Sequence, residues 1–315
     1  MNDEDARWLA AAAALAERAR PLSRPNPAVA AIIVDEGKVV GRGWTQPGGR
    51  PHAEACALEQ AGARARGATA YVTLEPCAHD SARGPACADL LARSGISRAV
   101  IGVGDPDPRT SGNGIARLRA AGIDAELSDD ARCRASLAGY LARAEAGRPC
   151  VTLKLALTAD GFVARPDGSS KWITGEAARA HAHRERARND AILVGGGTLR
   201  ADAPRLDVRL PGLEARSPRR VLLSRQPAPP GWEAISSPGG IRDLPDCQYL
   251  MVEGGARVAQ AFLAVGLVDR IMLYRAPVAF GEGLAAFPAG ALDGWSVTDR
   301  RTLGPDTLEI LEPAR

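Results

Sequence analysis

Along this chain of 315 residues the spacing of apolar positions switches repeatedly between helical and strand-like. Residues 8–19 consist largely of Ala, Leu, Glu and Arg, good helix formers, and run towards Pro21, Pro25 and Pro27, which end a helix. Residues 28–34 are a short apolar, β-branched run. Asp35-Glu36-Gly37 reads as a turn, and residues 38–43 as the strand that returns from it. The alternation continues with a helix at 52–63, a strand at 68–74, a helix at 85–93 closed by Gly95, a strand at 99–104, a helix at 112–121 closed by Gly122, and a short strand at 124–127. Such alternation predicts a three-layer α/β domain. Residues 131–146 predict a connecting helix and Gly147-Arg148-Pro149 a boundary, which divides the chain into 1–147 and 148–315.

Beyond the boundary the pattern restarts. Strands are predicted at 150–156, at 191–194 (running into Gly195-Gly196-Gly197) and at 220–223, with a helix at 175–188. Residues 227–245 are rich in Pro and Gly and read as loop. A strand at 248–252, a helix at 257–265, a strand at 270–276 and a last strand at 308–311 complete the expectation.

Composition narrows the function classes. Hydrophobic content of 45% supports real cores, and no apolar run reaches the ~18 residues of a membrane span. The acidic start, Asn2-Asp3-Glu4-Asp5, is unlike a signal peptide, so a cytoplasmic protein with no membrane partner is expected. A formal charge of +3 is too mild to argue for nucleic acid, and 4% aromatics make a base-stacking platform a poor expectation. The six Cys are scattered, as fits ligands or small buried residues better than disulfides.

The chemistry concentrates between His52 and Cys87. His52-Ala53-Glu54 stands at a helix start, Pro76-Cys77 follows a strand, and Cys87 opens another helix. One imidazole and two thiolates are a donor set for catalytic zinc, which keeps a further position for water. Zinc acidifies that water, and Glu54, not itself a ligand, takes the proton and delivers it to a leaving amine. The bland alternative is a buried His, a paired Glu and structural Cys; it is the better reading of each residue alone, not of the group. Cys56, four residues after His52, competes as a ligand but reads better as a small core residue. His79 reads as lining the substrate cleft, although a loop can bring it to the metal. Cys133, Cys150 and Cys247 read as packing residues.

Pro25-Asn26-Pro27, His52-Ala53-Glu54, Thr73-Leu74-Glu75-Pro76-Cys77, Cys87 and Gly104-Asp105-Pro106 together resemble the deaminase half of the bifunctional riboflavin-biosynthesis deaminase/reductase family. The long insert between Cys77 and Cys87 is typical of it, here one residue longer than usual, and Ala30 stands where the family often has Gly. In the second half Lys154, Asp160-Gly161, the 170–174 run, Asp190, Gly195-Gly196-Gly197-Thr198, Asp202 to Arg209 and Glu253-Gly254-Gly255-Ala256 follow the order of the family's reductase half. The resemblance therefore implies a cytidine-deaminase-like domain followed by a shortened dihydrofolate-reductase-like domain, with zinc and NADPH as cofactors.

The resemblance also implies site residues. Metal ligands are His52, Cys77 and Cys87, with Glu54 catalytic. Asn26 and His79 contact the deaminase substrate. NADP contacts fall at Ala156, Trp172, Thr198, Asp202, Ser224 and on Gly255, Ala256, Arg257, Val258, Ala259, Gln260 and Ala261. Reductase substrate contacts fall at Ser170, Arg186, Leu206, Arg209 and Glu253. The guanidinium forks of Arg186 and Arg209 match the oxygens of a sugar phosphate. The implied reactions are deamination of a diamino-pyrimidinone bearing a phosphoribosylamino group, then NADPH reduction of its ribosyl to a ribityl chain; homo-oligomers are common in the family. The stretch between Arg209 and Glu253 is several tens of residues shorter than in most members, so a narrower sheet and weaker NADPH binding are expected. Three alternatives stay open: a deaminase with an inactive reductase half, a zinc deaminase of another nucleobase, and a zinc-stabilised binding module.

Overall fold

The computed structural model describes residues 2–79, 81–170 and 172–314. Its contacts divide into two compact units, 1–147 and 148–315.

In the first unit, helix α1 (Asp3–Ala16) starts five residues earlier than its apolar face suggests. The Asn2 side chain accepts from the Asp5 amide at 2.8 Å, and Asp3, Glu4 and Asp5 suit the positive end of the helix. Its buried side packs Trp8, Leu9, Ala12, Ala13 and Ala16. Strands β1 (Ala30–Asp35) and β2 (Lys38–Trp44) form the expected hairpin, turning through Glu36 and Gly37 at positive φ. Then follow α2 (Ala53–Ala61), β3 (Thr69–Val72), α3 (Cys87–Ser94), β4 (Arg98–Ile101), α4 (Asn113–Ala120) and β5 (Asp124–Leu127). The connecting helix is two, α5 (Ala131–Ser136) and α6 (Ala138–Ala146), interrupted at Leu137. The sheet order is β2-β1-β3-β4-β5, with β3, β4 and β5 parallel.

Helix α2 lies against β2 because that strand carries Gly41 and Gly43 where the two meet. A Cβ on Gly43 would stand 2.3 Å from the Ala53 carbonyl oxygen, and one on Gly41 2.1 Å from that of Ala57. Ala53, Ala57 and Ala61, one helical turn apart, are the buried face. Small residues on both sides thus fix the height of the helix that carries His52 and Glu54.

The second unit comprises β6 (Cys150–Leu157), β7 (Phe162–Ala164), α7 (Glu176–Arg186), β8 (Ala191–Gly195), α8 (Gly196–Asp202), β9 (Arg219–Leu223), β10 (Glu233–Ile235), β11 (Tyr249–Val252), α9 (Ala256–Ala264), β12 (Arg270–Arg275), β13 (Leu284–Ala285), β14 (Trp295–Leu303) and β15 (Asp306–Pro313). Its main sheet runs β10-β9-β8-β11-β6-β12-β15-β14; the first six strands are parallel and the last two antiparallel. Two expectations need correction here. Residues 227–245 are not all loop, because β10 lies among them, and with it the sheet keeps eight strands rather than losing its edge. Strands β7, β13 and β14 were not expected at all.

Alternation along β6 is strict: Val151, Leu153, Leu155 and Leu157 enter the core with Phe262, Ile271 and Leu273. Lys154 and Ala156 therefore face the other way, beside Met272 and Tyr274 of β12. No helix among the described residues is long and apolar enough to cross a membrane.

Candidate functional site

Three elements converge in the first unit. His52 caps the start of α2 and Cys87 is the first residue of α3. Cys77 stands on the loop after β3. The His52 Nδ1 lies 3.3 Å from the Cys87 Sγ and 3.6 Å from the Cys77 Sγ, and all three donor atoms fall within 4.8 Å of one another. Tetrahedral zinc, with bonds of about 2.0 Å to nitrogen and 2.3 Å to sulfur, sets its donors ~3.6 Å apart, so the residues present fit that ion. The Cys87 amide, at the first turn of α3, donates to the Cys77 Sγ at 3.2 Å. Hydrogen bonding from Cys87 and His52 outweighs burial and lowers the Cys77 thiol to about 4. Cys56 is outside the cluster, packed under Gly43. Cys133 and Cys247 are fully buried and Cys150 is half-buried; none of the six cysteines is in a disulfide.

Glu54 is 3% exposed and lies beside this cluster. Burial raises its carboxyl above the usual range, opposed in part by the charge of His52. Burial thus favours the neutral form of this carboxyl over the carboxylate. The cluster opens into a cavity of about 390 Å³ whose walls include Asn26, His79, Arg50, Arg83, Asp105 and Tyr140. Asn26 stands against the imidazole, its amide nitrogen 3.2 Å from the His52 Nε2. His79 is turned to the Thr110 hydroxyl, 3.5 Å from its Nδ1, rather than to the sulfurs. Asp105 accepts from the Tyr140 hydroxyl at 2.6 Å, while burial pushes its carboxyl up.

The wall beyond Cys77 is held by a residue whose role the sequence did not disclose. The buried Glu75 carboxylate accepts four backbone amides, from Asp105, Gly112, Gly114 and Ile115, at 2.9–3.3 Å. Its one legible sign was the place next to Pro76-Cys77.

In the second unit the expected residues form two groups. Arg186 grips Glu253 with two hydrogen bonds, 2.6 Å from Nε and 2.8 Å from Nη2, and spends Nη1 on the Asp207 carbonyl at 3.1 Å. Its fork is therefore engaged within the protein. Lys154 lies 3.8 Å from the same carboxylate. Burial raises Glu253, but Lys154 and Arg186 overcome it and hold the carboxyl down at about 2. Arg209 is more open, its amide donating to the His183 Nδ1 at 3.3 Å. Leu206 is buried at positive φ next to this group. His183 and Asp207, which join Arg186 to Arg209, were given no role by sequence reasoning; His183 lies in no motif, and Asp207 stands in the Asp202 to Arg209 run without a part assigned to it.

The second group stands where β8, β9 and β11 end. Thr198 and Asp202 are on α8, Ser224 follows β9, and Gly255 caps α9. Ligands of open parallel sheets sit outside these carboxyl ends. The two helix starts meet because glycine lines both: a Cβ on Gly195 would stand 2.5 Å from the Val258 Cγ2, and one on Gly254 2.4 Å from its Cβ. The nine-residue α9 begins at Gly255 with no side chain capping its first turn, and a helix start left open in this way fits a dinucleotide pyrophosphate. Ala156 lies near the end of β6, in the strand beside β11. Arg257, Val258, Ala259, Gln260 and Ala261 form the first turns of α9. Trp172 is 69% exposed under the Arg179 guanidinium, and Ser170 lies in the same loop; Lys171 of that run is outside the described residues.

Comparison with known proteins agrees with both halves. Residues 2–103 match the family model "cytidine and deoxycytidylate deaminase zinc-binding region", and residues 149–233 and 242–308 match "RibD C-terminal domain". The chain is 37% identical to riboflavin biosynthesis protein RibD of Aquifex aeolicus over 90% of each chain. It is 35% identical to the Escherichia coli protein of that name, over 90% of this chain and 92% of the relative. Among solved structures it is similar to a diaminohydroxyphosphoribosylaminopyrimidine deaminase/5-amino-6-(5-phosphoribosylamino)uracil reductase from Thermotoga maritima, with TM-score 0.89, 31% identity and 99% of each chain covered. Acinetobacter baumannii RibD gives a TM-score of 0.88 at 32% identity, again over 99% of each chain. The chain thus belongs to the RibD family of riboflavin biosynthesis, bifunctional enzymes that join a zinc-binding deaminase domain to a reductase domain using NADPH.

Proposed function

We propose that the first unit removes an amine from a diamino-pyrimidinone bearing a phosphoribosylamino group, and that the second reduces the ribosyl of the product to ribityl with NADPH. The observation that carries the first assignment is Glu54, a buried carboxyl beside a His-Cys-Cys cluster at the floor of a cavity. His52, Cys77 and Cys87 hold zinc, which when bound acidifies a water. Glu54 accepts a proton at its carboxylate and returns it to the departing amine. Asn26 fixes the ring of His52, and His79 faces the substrate from the cavity wall.

In the second unit the crevice at the ends of β8, β9 and β11 receives the dinucleotide, with Thr198, Ser224 and the start of α9 against its phosphates. NADPH supplies hydride; the protein positions it. Glu253, held by Arg186 and Lys154, presents a fixed carboxylate to the sugar hydroxyls, and the more open Arg209 is the guanidinium offered to its phosphate. Six cysteines outside any disulfide and a small-molecule substrate suit action in the cytoplasm.

Mass spectrometry of the diamino substrate with zinc-loaded protein tests this reading. Exchange of one amine for a carbonyl oxygen is expected without NADPH, and a further gain of two hydrogens with it. Only the first change would remove the reductase assignment; no change would remove the deaminase assignment, and already deaminated substrate with NADPH then tests the reductase by itself.

A further inference from the structure

The dinucleotide crevice has an edge that the assigned contacts describe only at Ser224. Gly196 follows β8 with no side chain, and the space a Cβ would take there is bounded by two polar groups of this chain. A methyl on Gly196 would stand 3.2 Å from the Arg200 Nη1 and 3.7 Å from the Ser224 Oγ. Arg200 therefore folds back along α8 so that its guanidinium stands near the Ser224 hydroxyl, at the ends of two adjacent strands, β8 and β9.

Among the described residues Arg200 has no ion pair, while many other arginines of this unit, among them 186, 205, 219 and 275, are matched to a carboxylate. Ser224 accepts from the Gln226 amide at 2.9 Å, which leaves its own hydroxyl hydrogen to be donated outward. Arg225, next in the chain, is a second exposed guanidinium without a carboxylate partner among the described residues. In sites that accept the unphosphorylated dinucleotide, an acidic residue commonly holds the ribose 2′-hydroxyl; a phosphate there calls for arginine instead. This edge offers hydroxyl and guanidinium donors, with serine at the strand end where an acid would repel a phosphate.

We propose that Arg200, together with Ser224, receives the 2′-phosphate that distinguishes NADPH from NADH. The inference rests on the reductase reading and adds a specificity-determining residue to it. Arg200 is an exposed side chain with no ion pair among the described residues, so Arg200→Gln is expected to leave the unit folded.

The test is fluorescence titration of the purified full-length protein with NADPH, NADH and 2′,5′-ADP, for the wild type and for Arg200→Gln. Losing a charge-assisted hydrogen bond to a phosphate weakens NADPH and 2′,5′-ADP about ten- to a hundredfold. NADH binding stays unchanged, and the wild-type preference for NADPH falls as salt is raised. Arg200→Lys restores part of the preference, since a point charge replaces the fork. Equal weakening of NADPH and NADH would overturn the proposal, because Arg200 would then serve a part both share. Unchanged NADPH binding would overturn it as well. A wild type that binds neither dinucleotide would sink the reductase reading itself, and deamination measured on the same sample separates that result from a misfolded preparation.

Discussion

Replacing Glu253 by Gln tests the electrostatic reasoning behind the second unit. The carboxylate is 10% exposed, accepts two bonds from Arg186 and stands 3.8 Å from the Lys154 ammonium. In the folded protein it titrates at about 2, against an ordinary 4.5. A folded value below the unfolded one means stability that is complete above pH 4.5 and is lost as pH falls from there towards 2. At about 1.4 kcal/mol per pH unit this is worth ~3 kcal/mol. That agrees with the ~3–5 kcal/mol usually lost when one partner of a buried pair is removed and the other is left alone. Glu253→Gln is therefore expected to lower the opening free energy of β6, β11 and α7 by about 3 kcal/mol at pH 7, as read by amide hydrogen exchange. The difference between variant and wild type should shrink as pH is taken below 4.5. Replacing Arg186 and Glu253 together by apolar residues of similar size should cost less than the single change, because one cation, Lys154, rather than two is then left without its carboxylate. A Glu253→Gln protein whose exchange at pH 7 matches the wild type would refute the argument.

Glu54→Gln should lower deamination by about 10²–10⁴-fold while metal analysis finds zinc unchanged; undiminished turnover would remove Glu54 from the proton path. Cys77→Ser should release zinc and abolish deamination, yet leave NADPH reduction of already deaminated substrate intact, because the cluster lies wholly within the first unit. Gly43→Ala places a methyl 2.3 Å from the Ala53 carbonyl oxygen and 2.6 Å from the Cys56 Cβ. It should cost ~1–3 kcal/mol in thermal unfolding and weaken zinc retention through displacement of α2; an unchanged melting curve would show that the helix is free to shift.

What the sequence disclosed depended on the range of the interaction. The hairpin at Asp35-Glu36-Gly37 and the helix end at Gly95 are local, set by residues that tolerate positive φ, and were legible. So was the metal cluster, because His52 and Cys87 stand at helix starts and Cys77 just after a strand, positions that turn signals mark. Strand β14 was not legible: none of its nine residues is buried and six are exposed, so no alternation betrays it. Strand β10 has three residues amid Pro and Gly and owes its pairing to β9. The break at Leu137 falls inside an Ala-rich run without Pro, and Gly139, two residues on, lies within α6 and does not mark it. Among site residues, Glu75 and Asp207 depend on partners far along the chain or in neighbouring loops, and periodicity carries no trace of such pairings.

Glu75 and Cys77, on either side of Pro76, divide the work of one loop: the thiolate stands at the metal cluster and the carboxylate grips the opposite wall. What Glu75 grips is main chain, which every residue type offers alike. The path of the 105–115 segment is therefore held at four amides without reference to side chains, while Asp105 and Asp107 accept from the Asp107 and Arg109 amides, Gly112 stands at positive φ, and a Cβ on Gly114 would strike the Pro76 carbonyl. Substitutions at the remaining positions can alter which molecules the cavity admits while the chemistry beneath them stays put. The wall is interchangeable and the floor is not, and a designer wishing to redirect this deaminase has there a segment to vary with the reaction centre left untouched.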